Sequence, residues 1–249
     1  DEDVDKFVGS YRFTRYSHNE IAKIGLLLGM IGAELTIWKN DEGMLMMYDL
    51  NNKARRLIQV EPLLFQSIDD DYYIKFREDQ NGNITHLFTD GVTSLERTPL
   101  VYTINFQRIV FAIVTIVFVL ISLSGLVKSI IRKLKKSKNK KSNMFRLAEK
   151  ISNIYLIYVL LFGLAMNVFL NPLEQMVGFP YGMPWYFYLF QLMPFVFIAL
   201  TVLFVVKFFS EIRNSRKLKF SFVFNALFMV VCFTTIWFMN TWNLIGFKF

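Results

Sequence analysis

Four long apolar stretches without a single charged side chain, Ile109–Val127, Ile151–Leu173, Val177–Val206 and Phe220–Phe247, fill most of the chain after residue 108. Each approaches or exceeds the ~20 apolar residues needed to cross a ~30 Å hydrocarbon core. A helix is the economical way to cross, because it satisfies every backbone donor within the segment. The sequence therefore predicts an α+β membrane protein. Residues 1–104 form a separate head, and residues 105–249 form a four-helix transmembrane bundle with spans near 107–127, 151–172, 185–206 and 220–242.

The net charge of +8 hides two opposite halves. Residues 1–104 carry 17 Asp/Glu against 11 Lys/Arg, and residues 105–249 carry 3 against 17. This asymmetry points to a lipid bilayer as partner. Nucleic acid is not expected, since the basic residues lie between apolar spans rather than among aromatics on a soluble face. The segment 128–150 holds Lys128, Arg132, Lys133, Lys135, Lys136, Lys138, Lys140, Lys141, Arg146 and Lys150 against the lone acid Glu149. Segment 207–219 repeats the bias with Lys207, Arg213, Arg216, Lys217 and Lys219, whereas Asn171 to Pro184 has no Lys or Arg. The excess of positive charge on alternate connections predicts that 128–150 and 207–219 are cytoplasmic. The head and the C-terminus are then expected outside a cell membrane crossed four times. Trp185, Tyr186, Trp237 and Trp242 lie near span ends, where interfacial aromatics are expected.

Cys232 is the only cysteine, so the head must fold without an internal disulfide. The chain opens Asp1-Glu2-Asp3-Val4-Asp5, with neither the basic nor the apolar part of a signal peptide. An acidic head needs such a signal to be translocated, and the expectation is that an upstream portion supplies it.

Between residues 6 and 98 the sequence breaks into short runs: Lys6–Tyr16, Ala33–Lys39, Met44–Leu50, Arg56–Val60, Tyr72–Arg77, Asn83–Phe88 and Val92–Arg97. Asn40-Asp41-Glu42-Gly43, Asn51-Asn52, Asp69-Asp70-Asp71, Gln80-Asn81-Gly82 and Asp90-Gly91 punctuate them. Short runs separated by Asn, Asp and Gly predict an antiparallel meander, and Asn81-Gly82 suits a hairpin turn with positive φ. Ser17–Leu28 is the one expected helix, with Ser17 and Glu20 at capping-box spacing. A sheet this small removes its edges by closing, so a lipocalin-like barrel is predicted. Such a barrel can hold a small ligand or be filled by its own side chains, and filling is favoured. Phe13, Ile37, Trp38, Leu45, Leu57, Phe65, Ile74, Phe76, Ile84 and Leu87 are the expected inward positions.

The ordered segments Gly9-x-Tyr11-Arg12-x-Thr14-Arg15, a Lys23-centred helix, Glu61-Pro62-Leu63-x-Phe65, Phe76-Arg77-Glu78-Asp79-x-x-Gly82-x-Ile84-Thr85-His86-Leu87-Phe88 and Glu96-Arg97 carry a resemblance. The chain resembles the C-terminal region of membrane-bound serine hydrolases of the β-lactamase-related, penicillin-binding-protein-like superfamily. In those proteins a catalytic domain precedes a lipocalin-like β domain and several membrane helices. The resemblance implies that this chain is the non-catalytic, membrane-anchoring portion of such an enzyme, with an upstream catalytic domain in the same polypeptide. That parent would act on peptide, ester or β-lactam amide substrates through an acyl-serine intermediate. The family's active-site pattern is not present: Ser137-Lys138-Asn139-Lys140 is the only Ser-x-x-Lys, and its Lys-rich setting makes it a chance match. Tyr-x-Asn and Lys-Thr-Gly do not occur. The alternative is a free-standing membrane sensor with a ligand-binding barrel outside the cytoplasm.

No residue is assigned a catalytic, cofactor-binding or metal role, and no cofactor is expected. His18 and His86 lack further ligands at metal spacing. A Ser-His-Asp triad from these histidines with Ser17, Ser67, Ser94 and Asp69–Asp71 has nothing to bring it together. Three consecutive acids on an extended chain alternate in direction, so Asp69-Asp70-Asp71 is expected as a solvated turn rather than a cation site. The segment Gly25-Leu26-Leu27-Leu28-Gly29-x-x-Gly32 is expected to pack rather than to hold phosphate. Ionisable side chains are missing from the interiors of the spans, with Glu174 at a boundary, which disfavours a transport pathway. Asn153, Asn167, Gln191, Asn225 and Asn240 are expected to bond between helices. Pro172, Pro180 and Pro184 mark a turn, and Pro194 a kink.

Overall fold

The computed structural model describes residues 4–29, 34–48, 54–90, 93–136, 142–170, 185–214 and 220–248. The chain forms two compact units, residues 1–18 with 22–108 and residues 19–21 with 109–249.

In the first unit a 3-10 turn, Val4–Phe7, precedes β1 (Gly9–Phe13), β2 (Glu34–Lys39), β3 (Leu45–Tyr48), β4 (Ala54–Glu61), β5 (Leu64–Ser67), β6 (Tyr73–Glu78), β7 (Ile84–Thr89) and β8 (Ser94–Thr98). Each strand pairs antiparallel with the next and β8 closes on β1, giving the predicted closed barrel. Alternate residues of a strand face opposite sides, and the inward set fills the interior. Tyr11, Ile37, Leu45, Met47, Phe65, Ile74, Phe76, Ile84, Leu87 and Leu95 are all buried. Phe7 completes this core from the 3-10 turn. Its ring meets Phe76 at 4.7 Å and Phe65 at 4.8 Å between centroids, and its carbonyl accepts the Tyr11 hydroxyl at 2.7 Å.

Eight expected inward residues, Ile37, Leu45, Leu57, Phe65, Ile74, Phe76, Ile84 and Leu87, lie in this core. Phe13 packs against it only partly buried. Trp38 does not point inward. It follows the inward Ile37, so the pleat turns it out onto Tyr48, 4.5 Å between ring centroids. Strand β5 is a further difference, because Leu64–Ser67 forms no run of its own in the sequence reading. Pro62 and Leu63 make a two-residue connection with Leu63 at φ 62°. The Asn81-Gly82 turn is as expected: Gly82 sits at φ 79°, and Asp79 accepts the amides of Asn81 and Asn83, both at 2.9 Å.

The helix expected over Ser17–Leu28 is much shorter. A 3-10 turn spans Ile21–Lys23, and α1 covers only Ile24–Leu28. Residues 17–20 are irregular, so no helix starts at Ser17. Gly29, at φ 76°, ends α1 by donating its amide to Gly25 and Leu26. Ile24 to Leu27 are buried, in line with packing. Gly32, Asn51-Asn52 and Gly91 lie outside the described residues.

Four helices long and apolar enough to cross a membrane follow the barrel in sequence. They are α2 (Ile104–Leu134), α3 (Asn143–Leu170), a third broken into α4 (Trp185–Phe190) and α5 (Met193–Asn214), and α6 (Phe220–Thr241). Helices α2, α3 and α5 run past their apolar stretches into basic flanks. Lys and Arg are good helix formers whose long stems reach back toward water from beyond a membrane boundary. The break at Gln191-Leu192 precedes Pro194, which has no amide to donate.

Phe118 of α2 is the centre of the second unit. Its ring lies 4.5 Å from Tyr155 of α3, 5.9 Å from Phe197 of α5 and 5.9 Å from Phe228 of α6. Ser122 of α2 donates to Asn153 Oδ1 of α3 at 2.7 Å. Gln191 is buried, and its amide donates to the carbonyls of Leu244 and Gly246 at 2.9 and 3.1 Å. Asn225 is buried and Asn240 exposed. Trp242 differs from expectation: it is 1% exposed and packs beside Phe238 rather than facing outward. The side chains of Asn167, Trp185 and Tyr186, and the segment from Asn171 to Pro184 with Pro172, Glu174 and Pro180, lie outside the described residues.

Candidate functional site

The outer face of the barrel carries a row of ionisable side chains, one from each of five adjacent strands. Strand register places Glu34 of β2 opposite Arg12 of β1, Arg12 opposite Glu96 of β8, Glu96 opposite His86 of β7, and His86 opposite Arg77 of β6. Directly opposed residues hold their Cβ atoms ~5 Å apart, and opposite charges there attract. The row alternates acid and base from Glu34 to Glu96, and His86 then separates Glu96 from Arg77.

One end of this row is withdrawn from water. Arg12 and Glu34 face outward from the barrel wall, yet their side chains are only 6% and 8% exposed. Arg12 donates from Nε to Glu34 Oε1 at 3.0 Å and makes a second, shorter bond from Nη2 to the same oxygen. Nη2 also donates to the Tyr102 carbonyl. Glu34 Oε2 accepts the backbone amide of Ile104 at 2.8 Å, the first residue of α2. A helix leaves its first amides without intrahelical partners and concentrates partial positive charge there, so a carboxylate at that point stabilises both. Thr103 Oγ1 accepts the Phe106 amide at 3.3 Å, and Arg108 Nε donates to the Leu27 carbonyl at 2.9 Å. The start of α2 is therefore bonded to β2 and to α1, and Tyr102 just before it is bonded to β1.

Beside the pair, the Arg12 guanidinium lies 5.8 Å from the Tyr16 ring centroid, and Tyr16 donates its hydroxyl to Glu96 Oε1 at 3.1 Å. Burial, and secondarily the Glu96 charge, raises the Tyr16 phenol above its ordinary pKa, so Tyr16 stays a neutral donor. The His18 ring lies 4.0 Å from that of Tyr16, tilted by 34°. The open part of the row borders a groove of about 740 Å³ that includes Ser10, Thr36, Trp38, His86, Glu96 and Thr98.

No family model, curated protein or solved structure matches the chain.

The residues considered for a triad have the following partners. Ser94 Oγ bonds Thr14 Oγ1 at 2.6 Å, His18 Nε2 contacts the Thr14 carbonyl at 3.3 Å, and His86 Nδ1 meets Thr85 Oγ1 at 3.0 Å. Ser67 is buried in the barrel. Asp69 and Asp70 lie in the bend between β5 and β6 and pair with different partners, Asp69 with Arg56 at 2.7 Å and Asp70 with Arg55 at 2.9 Å. Among the described residues no group of three or more His, Cys, Asp or Glu could hold a metal. Ser137 to Lys140 lie outside the described residues. The sequence reading missed the Arg12–Glu34 pair. Its only local signal is that both residues fall on outward positions of adjoining runs.

Proposed function

We propose that this chain is the non-catalytic, membrane-anchoring portion of a serine hydrolase of the β-lactamase-related superfamily, and that an upstream catalytic domain acts on peptide, ester or β-lactam substrates. The observation that carries this reading is the interior of the barrel. Phe7, Tyr11, Phe65 and Phe76, each 2% exposed or less, occupy the space in which a binding barrel holds its ligand. That favours a support over the sensor alternative. The bonds from the Ile104 amide to Glu34 and from Arg12 to the Tyr102 carbonyl are the second support, since they fix the chain where it leaves the barrel. The alternation of basic connections supports a barrel and C-terminus outside the cytoplasm, with 128–150 and 207–219 inside.

The coding sequence upstream of Asp1 tests the proposal directly. A reading frame continuing through a Ser-x-x-Lys domain is expected, and a signal peptide placed immediately before Asp1 refutes it. Biochemically, a fluorophosphonate probe should label the full-length parent in membranes but not this chain. Deleting residues 1–249 should release the labelled domain from the membrane. Labelling at a serine within residues 1–108, or a small molecule co-purifying inside the barrel, would contradict the anchoring role.

A further inference from the structure

The basic residues that argue for topology are also arranged as a site. Helices α2 and α3 bound a groove of about 480 Å³ lined by Arg132, Arg146, Glu149, Lys150 and Asn153. Three cations thus face one carboxylate. Glu149 is held against α2 at Gly125, where any added Cβ would collide with its carboxylate. The neighbouring bond from Ser122 to Asn153 Oδ1, at 2.7 Å, ties the helices together at the groove's inner end. That bond uses the acceptor end of the Asn153 amide, and its donor end is the other one.

The surface of α3 continues the groove in a pattern that fits one ligand class. Arg146, Lys150, Asn153, Ile157, Leu160 and Leu164 are spaced four, three, four, three and four apart, so they share one helix face. All six are exposed. From one end the face reads two cations, an amide, then three aliphatic side chains. At 1.5 Å per residue, Asn153 to Leu164 spans ~16 Å, about half of a ~30 Å hydrocarbon core. A phosphate ion has no use for the aliphatic stripe, and an acyl chain has none for the cations.

We propose that this α2–α3 groove is a binding site for an anionic phospholipid. Its phosphate lies among Arg132, Arg146 and Lys150, its ester region meets the Asn153 amide, and an acyl chain runs along Ile157, Leu160 and Leu164. Basic pockets between membrane helices hold such headgroups, each Lys or Arg near the anionic surface contributing about a fivefold change in affinity.

The test uses the full chain in detergent micelles, with native mass spectrometry reading retained dioleoylphosphatidylglycerol or dioleoylphosphatidylcholine. One phosphatidylglycerol should be retained in preference to phosphatidylcholine. Lys150→Gln should weaken it about fivefold, and Arg132→Gln/Arg146→Gln/Lys150→Gln on the order of a hundredfold. The control Lys133→Gln/Lys135→Gln/Lys136→Gln removes equal charge outside the groove and should change affinity less than about threefold. Equal losses in the two triple variants, or equal retention of the two lipids, overturns the proposal. Inorganic phosphate alone should not raise the melting temperature as the lipid does, and equal protection would mean an ion site instead. Should the groove triple variant fail to fold, Leu160→Trp provides a separate reading. Brominated phosphatidylglycerol should quench it more strongly than brominated phosphatidylcholine, and equal quenching overturns the proposal.

Discussion

Arg12 and Glu34 should prove far more costly to separate than to remove together. With Arg12→Ala the Glu34 carboxylate stays buried and keeps, of the bonds described above, only the amide of Ile104. Leaving one member of a buried ion pair costs about 3–5 kcal/mol. Glu34→Ala leaves the guanidinium with the Tyr102 carbonyl, Tyr16 and the facing Glu96, and it orphans the Ile104 amide, adding about 1–3 kcal/mol. Glu34→Gln keeps an acceptor for that amide and should fall between Glu34→Ala and the native chain. Arg12→Leu/Glu34→Leu removes both charges, leaving mainly the unpaired amide, so it should cost much less than the sum of the single variants. The coupling should reach about 3 kcal/mol. Hydrogen exchange of the full chain in micelles can read this locally, because Ile104 and Gln107 donate amides to Glu34 and Thr103. A loss of about 3 kcal/mol lowers their protection on the order of a hundredfold. Single variants that each cost under about 1 kcal/mol, or that add to the value of the double, would refute the claim that a buried, coupled pair holds the start of α2.

Phe76 lies within 5.7 Å, centroid to centroid, of Phe7, Phe65 and Tyr11, so Phe76→Ala should destabilise the barrel by about 3–5 kcal/mol in denaturant titration. The outward Phe88→Ala should cost much less. Burial pushes the Tyr11 phenol up to about 12, against the opposing pull of Arg97. Below pH 10 both states hold the proton; between about 10 and 12 only the folded state does. Stability should therefore fall by about 2–3 kcal/mol across that window, and Tyr11→Phe should flatten this part of the pH profile. A reporter fused after Phe249 should read out as extracytoplasmic and one near Lys138 as cytoplasmic, and the reverse pattern would overturn the charge argument. Residues 1–108, expressed alone, should give a soluble β-rich domain with a cooperative melt, since they contain all eight strands of the closed barrel and the bonded first turn of α2.

What could be read in advance was what short-range patterns encode. The turn at Asn81-Gly82 and the inward series Ile74, Phe76, Ile84 and Leu87 follow from local chemistry and a period of two, and they appear in the fold. Trp38 was expected inward beside Ile37, but a period of two excludes it once Ile37 is inward. Strand β5 escaped because Leu63 adopts a positive φ that sequence rules reserve for Gly or Asn. It is supported there by packing on the core and by the Phe76 amide, which donates to its carbonyl at 2.8 Å. Both supports come from residues the turn itself does not contain.

The same reasoning explains why the candidate site was the least legible part. Arg12 and Glu34 each look like ordinary outward residues of an alternating strand. Their burial is created by the chain returning at residues 102–104, through the Tyr102 carbonyl and the Ile104 amide. That return depends on β8 closing against β1, the longest-range pairing in the barrel. Closure therefore does more than remove edges: it brings the start of α2 beside the wall where two charges await partners. Burying that pair without the bonds to Tyr102 and Ile104 would be unfavourable. The Arg12–Glu34 pair and the attachment of α2 consequently stabilise each other, so the barrel and the start of the first membrane helix are specified together.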